Sequence, residues 1–302
     1  MAGMGCTEGY NRDWPNYNKR LVKRGFAALN RPRTDGNENK EGSGTKRGKG
    51  RPRVYDDVLI AFVCGLKAML GKPYRMLEGM LGELLGPSGA GVPCYSTLWK
   101  RCNEFEAQRK ICDDGKERIV AIDSTGIKVT MRGEWMRNKW KVRRGWLKLH
   151  ILTDVETNEI LSFIVTDERS GDAKHMLALV DDALSKGYNI IKVLADGAYD
   201  TRRNWNGMKH RKIEFVTNIR KNASTASKGC TCRAAAVRER NEIGDEAWKE
   251  KHGYRMRWKV ESAISDLKRM FGEYVFSKTF ANMVKEIGRN IDAFNQLKRV
   301  TT

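Results

Sequence analysis

The spacing of apolar residues changes its period once along this chain, and the change divides it. Between residues 54 and 106 they recur three and four apart, as Val58, Leu59, Phe62, Val63, Leu66 and Leu70 do, which marks one face of a helix. From Glu117 onward, short apolar runs and alternations take over. Residues 119–122 form a strand ending at Asp123, and residues 147–153 and 160–165 form a hairpin around Glu156-Thr157-Asn158. Residues 190–195 are a nearly continuous apolar run, as in a strand covered on both faces, and Asp196 follows directly. Helices are predicted over 172–186 and 201–209, a strand over 213–219, a loose basic stretch over 220–240, and a helical region after it. A hairpin followed by strands alternating with helices predicts a mixed α/β sheet.

The helical part subdivides itself. Gly71-Lys72-Pro73 ends the first helix, and Leu77, Met80, Leu81, Leu84 and Leu85 carry a second as far as Gly86-Pro87. Ser96 or Thr97 is placed to cap a third, residues 98–105, which carries Lys100 and Arg101. Three short helices suit a helix-turn-helix module with Lys100 and Arg101 facing a groove, although plain bundles share the pattern. Ahead of them, residues 18–53 hold twelve Lys or Arg against Asp35, Glu38 and Glu41, and residues 30–53 have no large apolar side chain. That composition supports no core and predicts a flexible basic linker. Its end, Gly50-Arg51-Pro52-Arg53, is an extended segment suited to a minor groove or to phosphates alone. The expected organisation is a basic arm (1–29), linker (30–53), helical unit (54–112) and α/β domain (113–302).

Charge narrows the partner. A net charge of +20 points to a polyanion, and eight Trp, nine Tyr and nine Phe exclude a purely disordered basic tail. The longest apolar run, residues 58–66, stops at Lys67, too short to span a bilayer. The first ten residues have no basic cluster and no apolar core, so a cytoplasmic, nucleoid-associated protein is expected. Seven irregularly spaced Cys predict free thiols; Cys230 and Cys232 are the only close pair and lack two further ligands for zinc.

Asp123 and Asp196 each follow a buried strand, although both stand in sequences, Asp-Ser-Thr-Gly and Asp-Gly-Ala-Tyr, that also suit plain turns. If the strands are parallel neighbours, the two carboxylates converge, and they repel unless a cation such as Mg²⁺ lies between them. A third acid sits in residues 254–268. On a helical wheel Tyr254, Arg257, Glu261 and Lys268 share one side, next to an apolar arc of Met256, Val260, Ala263, Ile264, Leu267, Met270 and Phe271. An amphipathic helix with a solvated basic face has the same pattern.

The spacing Tyr254, Arg257, Glu261, Lys268 matches the Y-x-x-R-x-x-x-E-x-x-x-x-x-x-K signature, and the chain resembles insertion-sequence DDE transposases of the IS-four/IS-five superfamily. Residues 120–126 (V-A-I-D-S-T-G) and 194–200 (L-A-D-G-A-Y-D) are similar to that family's two acidic motifs, and residues 16–18, 21–25 and 95–98 to its N-terminal part. The resemblance implies an RNase H-like catalytic domain in which Asp123, Asp196 and Glu261 are catalytic and bind metal. It implies two Mg²⁺ ions, with Mn²⁺ as the substitute. Arg257 and Lys268 would contact DNA, and Tyr254 would position or stack on it. The implied activity is cleavage and strand transfer at an element's terminal inverted repeats, by a homodimer or higher assembly on double-stranded DNA. Only 65 residues separate Asp196 from Glu261, which leaves no room for the large β-rich insertion of longer members. The competing readings are a structure-specific nuclease, a non-catalytic DNA-binding regulator, and a nucleotide-binding enzyme of the actin and sugar-kinase type. The last gives Tyr254, Arg257, Glu261 and Lys268 no role.

Overall fold

The computed structural model describes residues 54–85, 91–104, 115–129 and 145–299, with Pro15 and Lys19 as isolated positions. The rest of the arm and linker, including Arg51 and Arg53, lies outside the described residues. The described part begins with three helices, α1 (Asp57–Leu70), α2 (Tyr74–Leu85) and α3 (Tyr95–Glu104). Asp56 caps α1 by accepting the Leu59 N–H at 2.7 Å, and Gly71, at φ +62°, ends it in the left-handed conformation that glycine adopts without strain. Leu59, Ile60, Val63 and Leu66 pack with Leu77, Leu81, Leu98 and Cys102 as a core of their own. The expected cap at Ser96 or Thr97 is not used. The third helix starts earlier, at Tyr95, whose N–H is taken by the Glu78 carboxylate at 2.9 Å.

The α/β part is a six-stranded mixed sheet. Its strands are β1 (Glu117–Val129), β2 (Trp146–Asp154), β3 (Ile160–Asp167), β4 (Asn189–Ala195), β5 (Glu214–Thr217) and β6 (Tyr274–Val275). The order is β3-β2-β1-β4-β5. The first three are antiparallel, β4 and β5 run parallel to β1, and β6 pairs with the far end of β1. This is the RNase H-like architecture. In β2 the residues from Leu149 to Asp154 are buried in unbroken succession; neighbours on a strand face opposite ways, so both faces of the sheet are covered. The covering helices are α4 (Met176–Ser185), α5 (Arg202–His210), α6 (Thr231–Ile243), α7 (Asp245–Lys251), α8 (Trp258–Phe271) and α9 (Phe280–Arg299). Among the described residues no helix is long and apolar enough to cross a membrane.

Four sequence expectations change. The first strand does not end at Asp123 but runs on to Val129, because β2 and β6 keep pairing with it after β4 has left the sheet. Asp-Ser-Thr-Gly is therefore strand interior, not a turn. Its glycine answers to packing: a Cβ on Gly126 would lie 2.8 Å from the Trp146 ring of the neighbouring strand. Gly126→Ala is expected to destabilise the fold by about 1–3 kcal/mol, read as a lower thermal midpoint. The basic stretch 220–240 is not loose throughout, since α6 begins at Thr231 and buries Ala234, Val237 and Arg240. Residues 172–174 form a 3-10 turn ahead of α4, not its first turn. Lastly, Tyr254–Arg257 is a 3-10 turn, entered through Gly253 at φ +67°, and the α-helix starts only at Trp258.

Candidate active site

The register of β1 against β4 sets the first two carboxylates. Ile122 pairs with Ala195 across the parallel strands, so Asp123 and Asp196 come next to one another at the end of that pairing. Beyond Ala195 the chain turns, and Asp196 caps the single turn Gly197–Tyr199 by accepting the Gly197 N–H at 2.6 Å. Thr217 at the end of β5 donates its hydroxyl to the Asp196 carbonyl at 2.7 Å. A Cβ on Gly197 would stand 3.0 Å from the Asn218 carbonyl oxygen, so glycine lets the two loops close together. Asp123 accepts the Ser124 N–H at 2.7 Å.

The third acid arrives on the 3-10 turn and the helix after it. The turn packs against the ends of β1 and β4. Arg257 lies 3.8 Å from the Asp123 carboxylate and also binds Glu261, one helical turn further on. Tyr254 is half-buried, with its ring 6.0 Å from the Arg257 guanidinium carbon. Burial raises the Asp123 carboxyl above its ordinary range. The charges of Glu261 and Asp196 add to the rise, while the Ser124 N–H and Arg257 oppose it. The three acids thus share one electrostatic neighbourhood in which Arg257 is the cation between two of them. Among the described residues no group of three His, Cys, Asp or Glu side chains forms a ready-made metal cage. The donor set nonetheless suits a hard cation: carboxylate oxygens that repel one another and already attract a guanidinium.

A second group beside Asp123 has no local motif and went unread in the sequence. Asp172 pairs with Lys148 at 2.7 Å and lies 3.3 Å from the Nδ1 of His150, which is fully buried. The His150 Nε2 meets the Thr166 hydroxyl at 3.0 Å, and the His175 ring is 4.7 Å away, centroid to centroid. Burial and the His175 charge, with a smaller push from Lys148, outweigh Asp172 and bring His150 down from 6.5 to about 4. The folded pKa lies below the unfolded one, so the stabilising effect is full above about 6.5 and is lost as the pH falls toward 4. Between pH 7 and 5 this residue alone is expected to remove about 2 kcal/mol, visible as a lower urea midpoint at pH 5. In His150→Leu the pH dependence is expected to flatten.

The second acidic motif contains two aspartates with different environments. Asp196 is exposed, whereas the Asp200 side chain is 1% exposed and is held by Arg233 at 2.7 Å and by the Trp205 Nε1–H at 2.9 Å. Among the other expected contacts, Lys268 is half-buried two turns beyond Glu261 and Lys100 is exposed on α3. Arg101 is engaged internally: it bonds Asp57 at 2.6 Å and the Tyr55 carbonyl at 3.1 Å, joining α3 to the start of α1. Arg51 and Arg53 lie outside the described residues. Cys230 and Cys232 are free, with their sulfurs 3.4 Å apart.

An RNase H-like sheet with two carboxylates where β1 and β4 part, and a third on a helix leaning over them, defines a class of phosphodiester-processing enzymes. The chain belongs to the Transposase DDE domain family, whose model matches residues 114–291; a second model of that description matches residues 35–132. It is accordingly a DDE-type transposase, of a family that generally acts with divalent metal ions. Among solved structures it is similar to a chain of the Drosophila P element transposase strand transfer complex, at 10% identity over 84% of this chain and 82% of that one, with a TM-score of 0.34. It is also similar to a chain of the simian T-cell lymphotropic virus intasome in complex with PP2A regulatory subunit B56 gamma, at 14% identity and a TM-score of 0.27. That match covers 65% of this chain, which spans 65% of the length of its counterpart. The strand order itself, not these superpositions, defines the fold.

Proposed function

We propose that Asp123, Asp196 and Glu261 are the catalytic, metal-holding carboxylates of an enzyme that cuts DNA at the terminal inverted repeats of an insertion element and joins the freed end to a target. The observation that carries this reading is the parallel pairing of β1 with β4, which sets Asp123 and Asp196 side by side. Asp123, Asp196 and Glu261 would hold a pair of Mg²⁺ ions, or Mn²⁺ in their place, which when bound would help activate the nucleophile, water for cutting and the freed hydroxyl for joining, and would stabilise the leaving oxygen. The chain's own part is to hold a polyanion beside an acidic centre. Arg257 and Lys268 take backbone phosphates, and the half-buried Tyr254 orients the strand against Asp196. The helical unit within 54–112, with the exposed Lys100, and the basic arm and linker, with Arg51 and Arg53, hold the duplex further out, while Arg101 keeps α3 on α1. Two ends must be paired before joining, so the working form is a homodimer or a larger assembly on DNA.

The test incubates the full chain with Mg²⁺ and either DNA bearing the element's ends or branched DNA of unrelated sequence. Cutting confined to the ends, followed by joined products, is the expected result. Cutting of any branched DNA would make the protein a structure-specific nuclease, and end binding without cutting a regulator.

A further inference from the structure

Next to Asp196 lies a basin of about 370 Å³, lined by Gly197, Ala198, Asn218, Ile219, Arg220, Lys221, Asp245 and Lys249. It shares a wall with the acidic site, because the Gly197 peptide both caps the Asp196 carboxylate and lines the basin. Its floor is apolar, from buried Ile219. Its rim is cationic: Lys249 is neutralised by Asp245 at 2.6 Å, which leaves Arg220 and Lys221, both exposed and without a carboxylate partner among the described residues.

This rim is held in shape from beneath. Arg240 is buried on α6 and donates through Nη1 to the carbonyls of Ile219 at 2.8 Å and Arg220 at 3.0 Å. A buried guanidinium committed to two consecutive carbonyls fixes the loop backbone, while the neighbouring cationic side chains stay free. An apolar floor, two unneutralised cations and a volume at the lower end of small-ligand sites fit one sugar-phosphate unit with its base, not a duplex.

We propose that this basin binds the nucleotide adjoining the bond that is cut, with its phosphate on Arg220 and Lys221 and its sugar and base over Ile219 and Ala198. The assignment rests on the reading of Asp196 as part of the cleavage centre and extends it to the grip on the strand. Held there, the next phosphate along the strand is directed toward Asp196 and Asp123.

The test measures binding of the full chain to a fluorescent duplex carrying the element's end, with single phosphates neutralised one at a time as methylphosphonates. For the wild type, neutralising the one or two phosphates flanking the terminus is expected to weaken binding about tenfold. In Arg220→Ala/Lys221→Ala that sensitivity is expected to vanish, and the slope of log affinity against log salt to fall by about 0.9, the change for one lost phosphate contact. Ala198→Phe fills the basin without touching charge; it is expected to abolish the same sensitivity with the thermal midpoint unchanged. An identical methylphosphonate pattern in wild type and double variant would overturn the proposal. So would an equal loss at every phosphate, the sign of a diffuse field. Because this readout is binding, an error in the catalytic carboxylates leaves it intact and shows up only in the cleavage assay.

Discussion

Asp123→Asn is expected to lower DNA cleavage by about a thousandfold with the fold intact. Losing a carboxylate that holds a catalytic cation forfeits several kcal/mol of charge stabilisation in the transition state, and about 4 kcal/mol corresponds to three orders of magnitude. Stability should move the other way or not at all. Asp123 is partly buried beside two like charges, and its carboxyl already sits above the ordinary range, so a neutral amide relieves repulsion. Glu261→Gln, at an exposed position in the first turn of α8, is expected to match it in cleavage. The double variant should lose little more than either alone, because groups that act as one unit are not additive. Cleavage gels and thermal melting on the same preparations check both halves; undiminished cleavage in either single variant would remove that residue from the centre.

The largest expected effect on stability lies one turn from the chemistry. Arg233→Ala leaves the Asp200 carboxylate, 1% exposed, with only the Trp205 N–H for a partner among the described residues. Removing one member of a buried ion pair costs about 3–5 kcal/mol, because the remaining charge is neither solvated nor compensated. Asp200→Asn/Arg233→Met removes both charges and is expected to recover most of that loss. The single variant should melt many degrees lower and the double close to wild type. Equal melting of all three would show that the pair contributes nothing.

Much of this architecture was legible because its determinants are local. The apolar runs 119–122 and 190–195 and the hairpin 147–165 gave the strands; that the first two are parallel neighbours, which brings Asp123 and Asp196 together beyond Ile122 and Ala195, is a matter of topology that the sequence left open. What escaped was of two kinds. Helix α6 lacks an apolar stripe: it buries Ala234, Val237 and the aliphatic stem of Arg240, a face with too few large residues to show a period. The Asp172, Lys148 and His150 cluster is assembled from β2 and a separate turn, and no spacing encodes a contact made by tertiary packing. The wheel drawn through 254–268 was right about Arg257 and Glu261, one turn apart. It was wrong about the backbone before Trp258, where the left-handed Gly253 starts a tighter turn.

The helical unit rests on helix α9. Helix α9 packs against α1, Lys285 donates to the Asn103 carbonyl at 2.8 Å, and Arg289 reaches the Cys102 carbonyl at 3.4 Å. These partners are more than 180 positions apart, so the helical unit finds its seat only once α9 is in place. The module is therefore moored by contacts closed over a very long loop, which form late in folding. Losing the Lys285 and Arg289 side chains would loosen that module while leaving Asp123, Asp196 and Glu261 on their own elements.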